Sequence, residues 1–205
     1  MSNSKPDALP QGRVIVISGP SGAGKSTVVQ RLMRDCSLPL QLSVSATTRA
    51  PRKGEENGRE YHFLTHSEFA ERRQSGEFLE CKEVFGRGDW YGTLRSVVSA
   101  GLNAGKWVIL EIDVEGALSV FQQIPDVISV FVDPGSLEEL ERRLRARGTE
   151  EESAIRRRLE VAQSEMAKSH LYRHRVINDD IDRTVQDICQ LLLNYQGVSH
   201  ACSKN

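Results

Sequence analysis

A glycine-rich stretch near the start of the chain, GPSGAGKST at residues 19–27, restricts the possible folds more than any other feature of the sequence. It fits the phosphate-loop pattern G-x-x-x-x-G-K-[ST], in which backbone N–H groups and a lysine surround phosphate oxygens. Lys25 supplies the charge, and the Ser26 hydroxyl is the expected protein ligand of Mg²⁺. A β-branched run at residues 14–18 precedes the loop and a helix-compatible segment follows it. This strand–loop–helix order predicts a nucleoside triphosphate site. The residues expected to bind the triphosphate are Gly19, Pro20, Ser21, Gly22, Ala23, Gly24, Lys25, Ser26 and Thr27.

The overall charge of the chain is close to zero. Its 205 residues include 27 basic and 28 acidic side chains, a formal net charge of −1, so no global field would attract nucleic acid or an anionic membrane. No apolar run approaches the roughly 18 residues that a membrane-spanning helix needs. The four cysteines lack the paired spacing of a zinc site or a redox motif. We therefore expect a cytoplasmic protein, and the sequence leaves open whether it forms a homo-oligomer.

Strand-like apolar runs alternate with helical patterns along most of the chain. Residues 107–112 (WVILEI) and 127–132 are nearly continuous apolar runs, as expected for strands that are covered on both faces. A helical pattern at residues 181–195 closes the chain. This rhythm predicts an α/β fold with a P-loop NTPase-type parallel sheet flanked by helices. Glu111 and Asp113 lie at the C-terminal end of a strand, which is the edge of a parallel sheet where ligands bind.

A polar segment interrupts this pattern first. Residues 45–61 (SATTRAPRKGEENGREY) are rich in Arg, Thr, Gly and Glu, and a polar segment of this length inside a compact domain is typical of a binding element. Strand patterns follow, so residues 45–93 are expected to form a small, mainly antiparallel insert. Thr65 followed by Glu68 resembles a capping box at the start of a short helix. Thr93 is a candidate cap for the helix that follows the insert.

The second interruption is a densely charged segment at residues 136–160. Its leucine spacing predicts one helix that ends near Arg147 and a second that begins near Glu150. Arg143 and Arg147 are four residues apart and share a face. For most of these charges the simplest interpretation is a solvated helical hairpin with ion pairs. The predicted organisation is a P-loop core of residues 13–44, 94–135 and 161–196, an insert at 45–93, the charged segment at 136–160, and flexible ends at 1–12 and 197–205.

Seven motifs in this order resemble guanylate kinase: GPSGAGKST, SVSATTRAPRKGEENGREYHF, FLE at residues 78–80, YGT at 91–93, EID at 111–113, RARGTE at 145–150 and VIND at 176–179. The resemblance extends over about residues 13–195, and a phosphate loop combined with TTRxPRxGExxGxxY is highly specific for this family. The resemblance implies a nucleoside monophosphate kinase core, a GMP-binding insert and a mobile lid at residues 136–160. It also implies the reaction of ATP with GMP to give ADP and GDP, with Mg²⁺, in purine nucleotide metabolism.

The resemblance further implies individual roles. Arginine forks suit phosphate because they donate two parallel charge-assisted hydrogen bonds. A carboxylate such as Glu80 can accept from both N1–H and the 2-amino group of guanine. Glu111 stands where the family also has aspartate, so its role near the metal is open. The implied GMP-phosphate residues are Arg49, Arg52, Tyr61 and Tyr91, and the guanine residues are Ser45, Glu80, Thr93 and Asp113. The implied catalytic residues are Lys25, Arg49, Arg143, Arg147 and Arg158, with Ser26 at the metal and Asn178 at the adenine of ATP.

Other interpretations stay open at this stage. Outside the family pattern, Glu80 would be an ordinary surface carboxylate, and Tyr61 and Tyr91 would be packing aromatics. One alternative function is a non-catalytic guanylate-kinase-like module that binds phosphopeptides, which the retained Lys25 and Ser26 disfavour. Another is a kinase for a different acceptor, such as dGMP or an unusual phosphorylated metabolite. A regulatory GTPase is disfavoured because no NKxD stretch follows the loop.

Overall fold

The computed structural model describes residues 12–83, 88–146 and 151–202. Along the chain the elements are β1 (Val14–Ser18), α1 (Lys25–Asp35), β2 (Leu40–Leu42), β3 (Ala46–Thr47), β4 (His62–Phe63), α2 (His66–Gln74), β5 (Phe78–Glu83), β6 (Trp90–Leu94), α3 (Arg95–Asn103), β7 (Trp107–Glu111), α4 (Val114–Gln123), β8 (Ile128–Asp133), α5 (Leu137–Ala146), α6 (Glu152–Ala167), a 3₁₀ turn (Ser169–Leu171), β9 (His174–Ile177) and α7 (Ile181–Cys202). No helix among these residues is long and apolar enough to cross a membrane.

The described strands form a five-stranded sheet in the order β2-β7-β1-β8-β9 and a four-stranded sheet in the order β4-β3-β6-β5. β1 runs parallel to β8, and β8 runs parallel to β9. Every residue of β1 and β8 is buried, because helices cover both faces of a parallel sheet. The predicted α/β fold with a helix-flanked parallel sheet is confirmed.

The chain divides into two compact units. The first, which we call the phosphate-loop unit, consists of residues 15–38 and the described residues from 109 onward. Its β-branched strands β1 and β8 bury their side chains against apolar stripes of the helices, such as Val28 and Leu32 of α1 and Ile188 of α7. On α5, Leu140 and Leu144 are fully buried with Ala162 of α6, which confirms the leucine spacing read from the sequence.

The second unit, which we call the insert unit, consists of residues 12–14 together with the described residues between 39 and 108. In its four-stranded sheet β6 pairs antiparallel with both β3 and β5, whereas β3 and β4 are parallel. A small apolar core lies against this sheet, with the Phe69 and Phe78 rings stacked at 4.3 Å between centroids. The expected mainly antiparallel arrangement is confirmed.

The observed helix caps and helix ends confirm the predictions from the sequence only in part. The Thr65–Glu68 capping box at the start of α2 is present in full. Thr93, in contrast, is not a helix cap: β6 stays paired with β5 as far as Leu94, so α3 begins only at Arg95. The predicted end of the last helix at Tyr195 is also wrong, since α7 continues to Cys202. Gly197 within it costs a helix only about 1 kcal/mol relative to alanine, too little to end it.

Candidate active site

The phosphate loop connects β1 to α1 within the phosphate-loop unit. Gly19 and Gly24 have positive φ angles of 143° and 92°, conformations that favour glycine. A Cβ on Gly19 would lie 2.3 Å from the Val132 carbonyl oxygen, so the loop also needs glycine there for close packing. The Lys25 ammonium donates to the carbonyl oxygens of Gly19 at 2.7 Å and Pro20 at 3.0 Å. The loop and its lysine are therefore folded together in the form that a phosphate-binding site requires.

Lys25 carries its charge in a desolvated position. Burial lowers the pKa of its ammonium below the usual 10.5, although the carboxylates of Glu111, Glu165 and Asp113 act in the opposite direction. A phosphate ligand would add negative charge at the same place and favour the protonated form. An anion bound beside Lys25 would therefore be stabilised electrostatically.

A serine and a carboxylate meet at the end of the loop. The Ser26 hydroxyl donates to Glu111 Oε1 at 2.5 Å, which joins the start of α1 to the C-terminal end of β7. Hydroxyl and carboxylate oxygens are hard donors of the kind that Mg²⁺ prefers, and P-loop sites hold the ion with few protein ligands plus substrate phosphates. No group of three or more His, Cys, Asp or Glu side chains in the described residues could hold a metal by itself. The residues present thus fit Mg²⁺ bound together with a nucleotide.

Two residues that are distant in sequence, Asn178 and Arg143, contact the phosphate loop at Ala23. The Asn178 side-chain amide donates to the Ala23 carbonyl oxygen at 2.7 Å, and Arg143 Nη2 donates to the Asn178 carbonyl oxygen at 2.6 Å. Asn178, expected at the adenine, and Arg143, expected at the transferred phosphoryl group, both lie here. Arg158 lies half-buried on α6, and Arg147 is outside the described residues.

In the insert unit, Arg49 is the centre of a polar cluster. Its Nε donates to the Tyr91 hydroxyl at 3.2 Å, and its guanidinium carbon lies 5.4 Å from the centre of the Tyr61 ring. Its Nη2 donates to both oxygens of Glu55 at 3.0 Å each. The structure thus brings together three of the four residues implied for the GMP phosphate. The fourth, Arg52, is exposed on the same loop.

Glu55 is a residue of this cluster for which sequence reasoning assigned no role. Besides Arg49, its carboxylate accepts from the Arg52 N–H at 2.7 Å. The pKa of Glu55 is lowered by that N–H first and, against the opposing effect of burial, by Arg49. The signal was present in the sequence, because Glu55 is the glutamate of the quoted GExxGxxY pattern.

The residues implied for the base lie in both units. The Thr93 hydroxyl donates to Glu80 Oε1 at 2.7 Å across the β5–β6 pair, so this pair is assembled within the insert unit. Ser45 is half-buried immediately before β3 of the same unit. Asp113 belongs to the phosphate-loop unit, where its carboxylate caps α4 by accepting from the Gly116 N–H at 2.7 Å.

These features define a class of protein. A parallel sheet, a phosphate loop between its first strand and first helix, a lysine folded over that loop and a serine–carboxylate pair beside it are those of a P-loop phosphate-binding protein.

Comparison with known proteins narrows the class. Residues 11–195 match the sequence model of the family described as guanylate kinase. A guanylate kinase of Rhodopirellula baltica is 58% identical over 95% of this chain and 93% of its own, and one of Porphyromonas gingivalis is 44% identical over 89% and 97%. A crystal structure of guanylate kinase from Anaplasma phagocytophilum has a TM-score of 0.73 and 33% identity, covering 91% of this chain and 87% of that one. The chain belongs to the guanylate kinase family.

Proposed function

We propose that this chain transfers the γ-phosphoryl group of ATP to GMP, giving ADP and GDP, with the phosphate-loop unit binding the donor and the insert unit binding the acceptor. Family membership makes the chain an ATP:GMP phosphotransferase, a nucleoside monophosphate kinase of purine nucleotide metabolism. The observation that carries the proposal is the complete phosphate loop, with Lys25 on the loop carbonyls and Ser26 on Glu111. A module that only binds phosphopeptides has no use for either contact.

Positioning and charge neutralisation supply the catalysis. The attacking oxygen of the GMP phosphate is ionised near neutral pH, so no general base is required. Lys25 and the loop N–H groups hold the β- and γ-phosphates of ATP. Ser26, beside Glu111, would hold Mg²⁺, which would offset phosphate charge when bound.

The acceptor phosphate is held by the cluster around Arg49. Arg49, Arg52, Tyr61 and Tyr91 provide guanidinium and hydroxyl donors for its oxygens. The observed Tyr91–Arg49 hydrogen bond and the position of Arg49 over Tyr61 support a shared role. Arg49 is also proposed to supply positive charge to the phosphoryl group as it is transferred.

Guanine is read by Glu80, with Ser45, Thr93 and Asp113. The Thr93 hydroxyl orients the Glu80 carboxylate, which accepts from guanine N1–H and the 2-amino group. Adenine lacks this pair of donors, and a site whose buried acceptor stays unpaired discriminates by a factor of roughly 10⁴. The site thus favours GMP over AMP, and dGMP carries the same base.

Residues 136–160 act as a lid. Arg143, Arg147 and Arg158 supply positive charge to the transferred group when the lid closes, and closure keeps water away from it. For the lid to close, Arg143 has to break or share its hydrogen bond to the Asn178 carbonyl oxygen.

The partners of the protein are ATP and GMP in the cytoplasm, and neither nucleic acid nor a membrane is part of the activity.

A coupled assay that follows ADP production tests the proposal. The purified protein, with MgATP, is given GMP, dGMP, AMP, UMP or no acceptor. We expect fast ADP production with GMP, activity with dGMP, and little with AMP, UMP or water. ADP production that does not depend on GMP, or none with any acceptor, would contradict the proposal, and the latter would favour the phosphopeptide-binding alternative.

A further inference from the structure

We propose that Asn178 is a positioning residue of the phosphate loop, whose side-chain amide fixes the Ala23–Gly24 peptide so that the Gly24 N–H faces the phosphates of the donor. The inference rests on the proposed function. It replaces the adenine contact expected for this residue with a contact to the protein's own backbone.

Asn178 is itself held in place by its neighbours. It follows β9 directly, and only 6% of its surface is exposed. Its backbone N–H donates to the Asp133 carbonyl oxygen at 2.7 Å, and its own carbonyl oxygen accepts from Arg143 Nη2 at 2.6 Å. The side-chain amide then has one defined direction, toward the Ala23 carbonyl oxygen at 2.7 Å.

The direction of the Gly24 N–H follows from the geometry of the peptide bond. In a planar trans peptide the C=O and the following N–H point in opposite directions. Holding the Ala23 carbonyl oxygen on the Asn178 side therefore turns the Gly24 N–H toward the other side. Within residues 12–83, 88–146 and 151–202, no acceptor is paired with that N–H. It is left available to a phosphate oxygen.

The local backbone of the loop does not by itself fix the orientation of the Ala23–Gly24 peptide. A flip of the Ala23–Gly24 peptide changes ψ of Ala23 and φ of Gly24. Gly24 has a φ of 92°, and glycine adopts positive and negative φ with similar ease. The Ala23–Gly24 peptide can therefore flip at low local cost, and its orientation has to come from a tertiary contact. Asn178 supplies that contact.

Asn178 and Gly24 pack closely against each other. A Cβ on Gly24 would lie 2.5 Å from Asn178 Nδ2, closer than two such atoms approach. The side-chain amide thus occupies the space that any other residue at position 24 would need. Arg143 adds a weaker hydrogen bond of 3.5 Å from Nη1 to the same Ala23 carbonyl oxygen, so the contact also extends to α5.

The variant Asn178→Asp provides the sharpest test, because it keeps the shape of the side chain and exchanges the amide donor for an acceptor that repels the Ala23 carbonyl. Calorimetry with MgATP, MgITP and magnesium tripolyphosphate measures donor binding. Inosine lacks the 6-amino group of adenine, and tripolyphosphate has no base. We expect all three ligands to bind at least about 10-fold more weakly, by a similar factor, since a buried acceptor loses its partner. The KM for GMP should change less than about 2-fold.

The matched control is Asn194→Asp, the same substitution at an exposed position of α7, which should leave all three affinities unchanged. If Asn178→Asp does not fold, as judged by circular dichroism, Asn178→Ala removes the donor without adding charge and should show the same uniform loss. Weaker binding of MgATP alone would assign Asn178 to the adenine and overturn the inference, as would unchanged binding of all three. The readout is binding to the loop, so it is independent of the GMP-dependent ADP production that tests the proposed function.

Discussion

The Arg49 guanidinium donates from Nη2 to both carboxylate oxygens of Glu55, each at 3.0 Å. Both side chains are mostly buried, with 14% and 18% of their surfaces exposed. The carboxylate is also held by the Arg52 N–H, so it acts as a fixed anchor for the arginine. An arginine that is already oriented loses less conformational entropy when it binds a phosphate.

We predict that Glu55→Gln raises the KM for GMP by about 10-fold, because a neutral amide holds Arg49 less firmly than a carboxylate does. The KM for ATP should change little, since the residues proposed to bind the donor belong to the other unit. Steady-state kinetics with each substrate varied measure both values. Glu56→Gln, a neighbouring exposed glutamate, is the matched control. A lower KM for GMP would mean instead that Glu55 competes with the acceptor phosphate.

A second prediction concerns base recognition. Glu80→Gln should raise the KM for GMP, because the amide cannot accept from both guanine donors. It should also reduce the preference for GMP over AMP by at least about 100-fold, out of a full discrimination of about 10⁴. The ratio of kcat/KM for the two nucleotides is the quantity to measure. Glu71→Gln on the exposed side of α2 should leave that ratio unchanged. Unchanged preference in Glu80→Gln would remove this residue from the guanine site.

A third prediction separates catalysis from acceptor binding. Lys25→Ala should lower kcat by roughly 10²–10³-fold, the cost of losing one preorganised donor to a developing charge, while the KM for GMP stays within a few-fold. Arg147→Ala should follow the same pattern if the lid delivers this charge. Exposed Lys106→Ala is the control for loss of a surface charge. An equal rise in the KM for GMP would place Lys25 in general binding rather than in phosphoryl transfer.

A fourth prediction is a pH dependence of donor binding. The pKa of Lys25 is lowered by burial in the free protein, and a bound triphosphate raises it again. The contribution of Lys25 to ATP affinity should therefore be constant well below the lowered pKa and fall as the pH rises through it, with proton uptake on binding above it.

Calorimetry in two buffers of different ionisation enthalpy measures this proton uptake directly. Lys25→Arg keeps the charge but titrates far higher, so its ATP affinity should lose this pH dependence. Proton release from the wild-type protein on binding, or an affinity that rises with pH, would contradict the assigned electrostatics of Lys25.

Local sequence patterns were sufficient for much of the fold. The phosphate loop with its flanking strand and helix, the capping box at Thr65 and the apolar runs of β7 and β8 were all predicted correctly. These features depend on periodicity, turn-forming residues and caps, which act within a few residues of one another. The prediction of Thr93 as a helix cap was wrong because strand pairing with β5 outweighed a local capping preference.

The partners of the site residues came only from the tertiary structure. Asn178 meets Ala23 across 155 residues of chain, and Ser26 meets Glu111 across 85. Arg49 forms its ion pair with Glu55. A hydrogen bond requires donor and acceptor within about 3 Å and in the correct direction. That condition depends on strand register and helix packing over the whole unit, which no local pattern specifies. The sequence alone thus determined the family and the fold class, and it predicted the residue types of both nucleotide sites. The packed structure decided which backbone and side-chain atoms those residues hold in place.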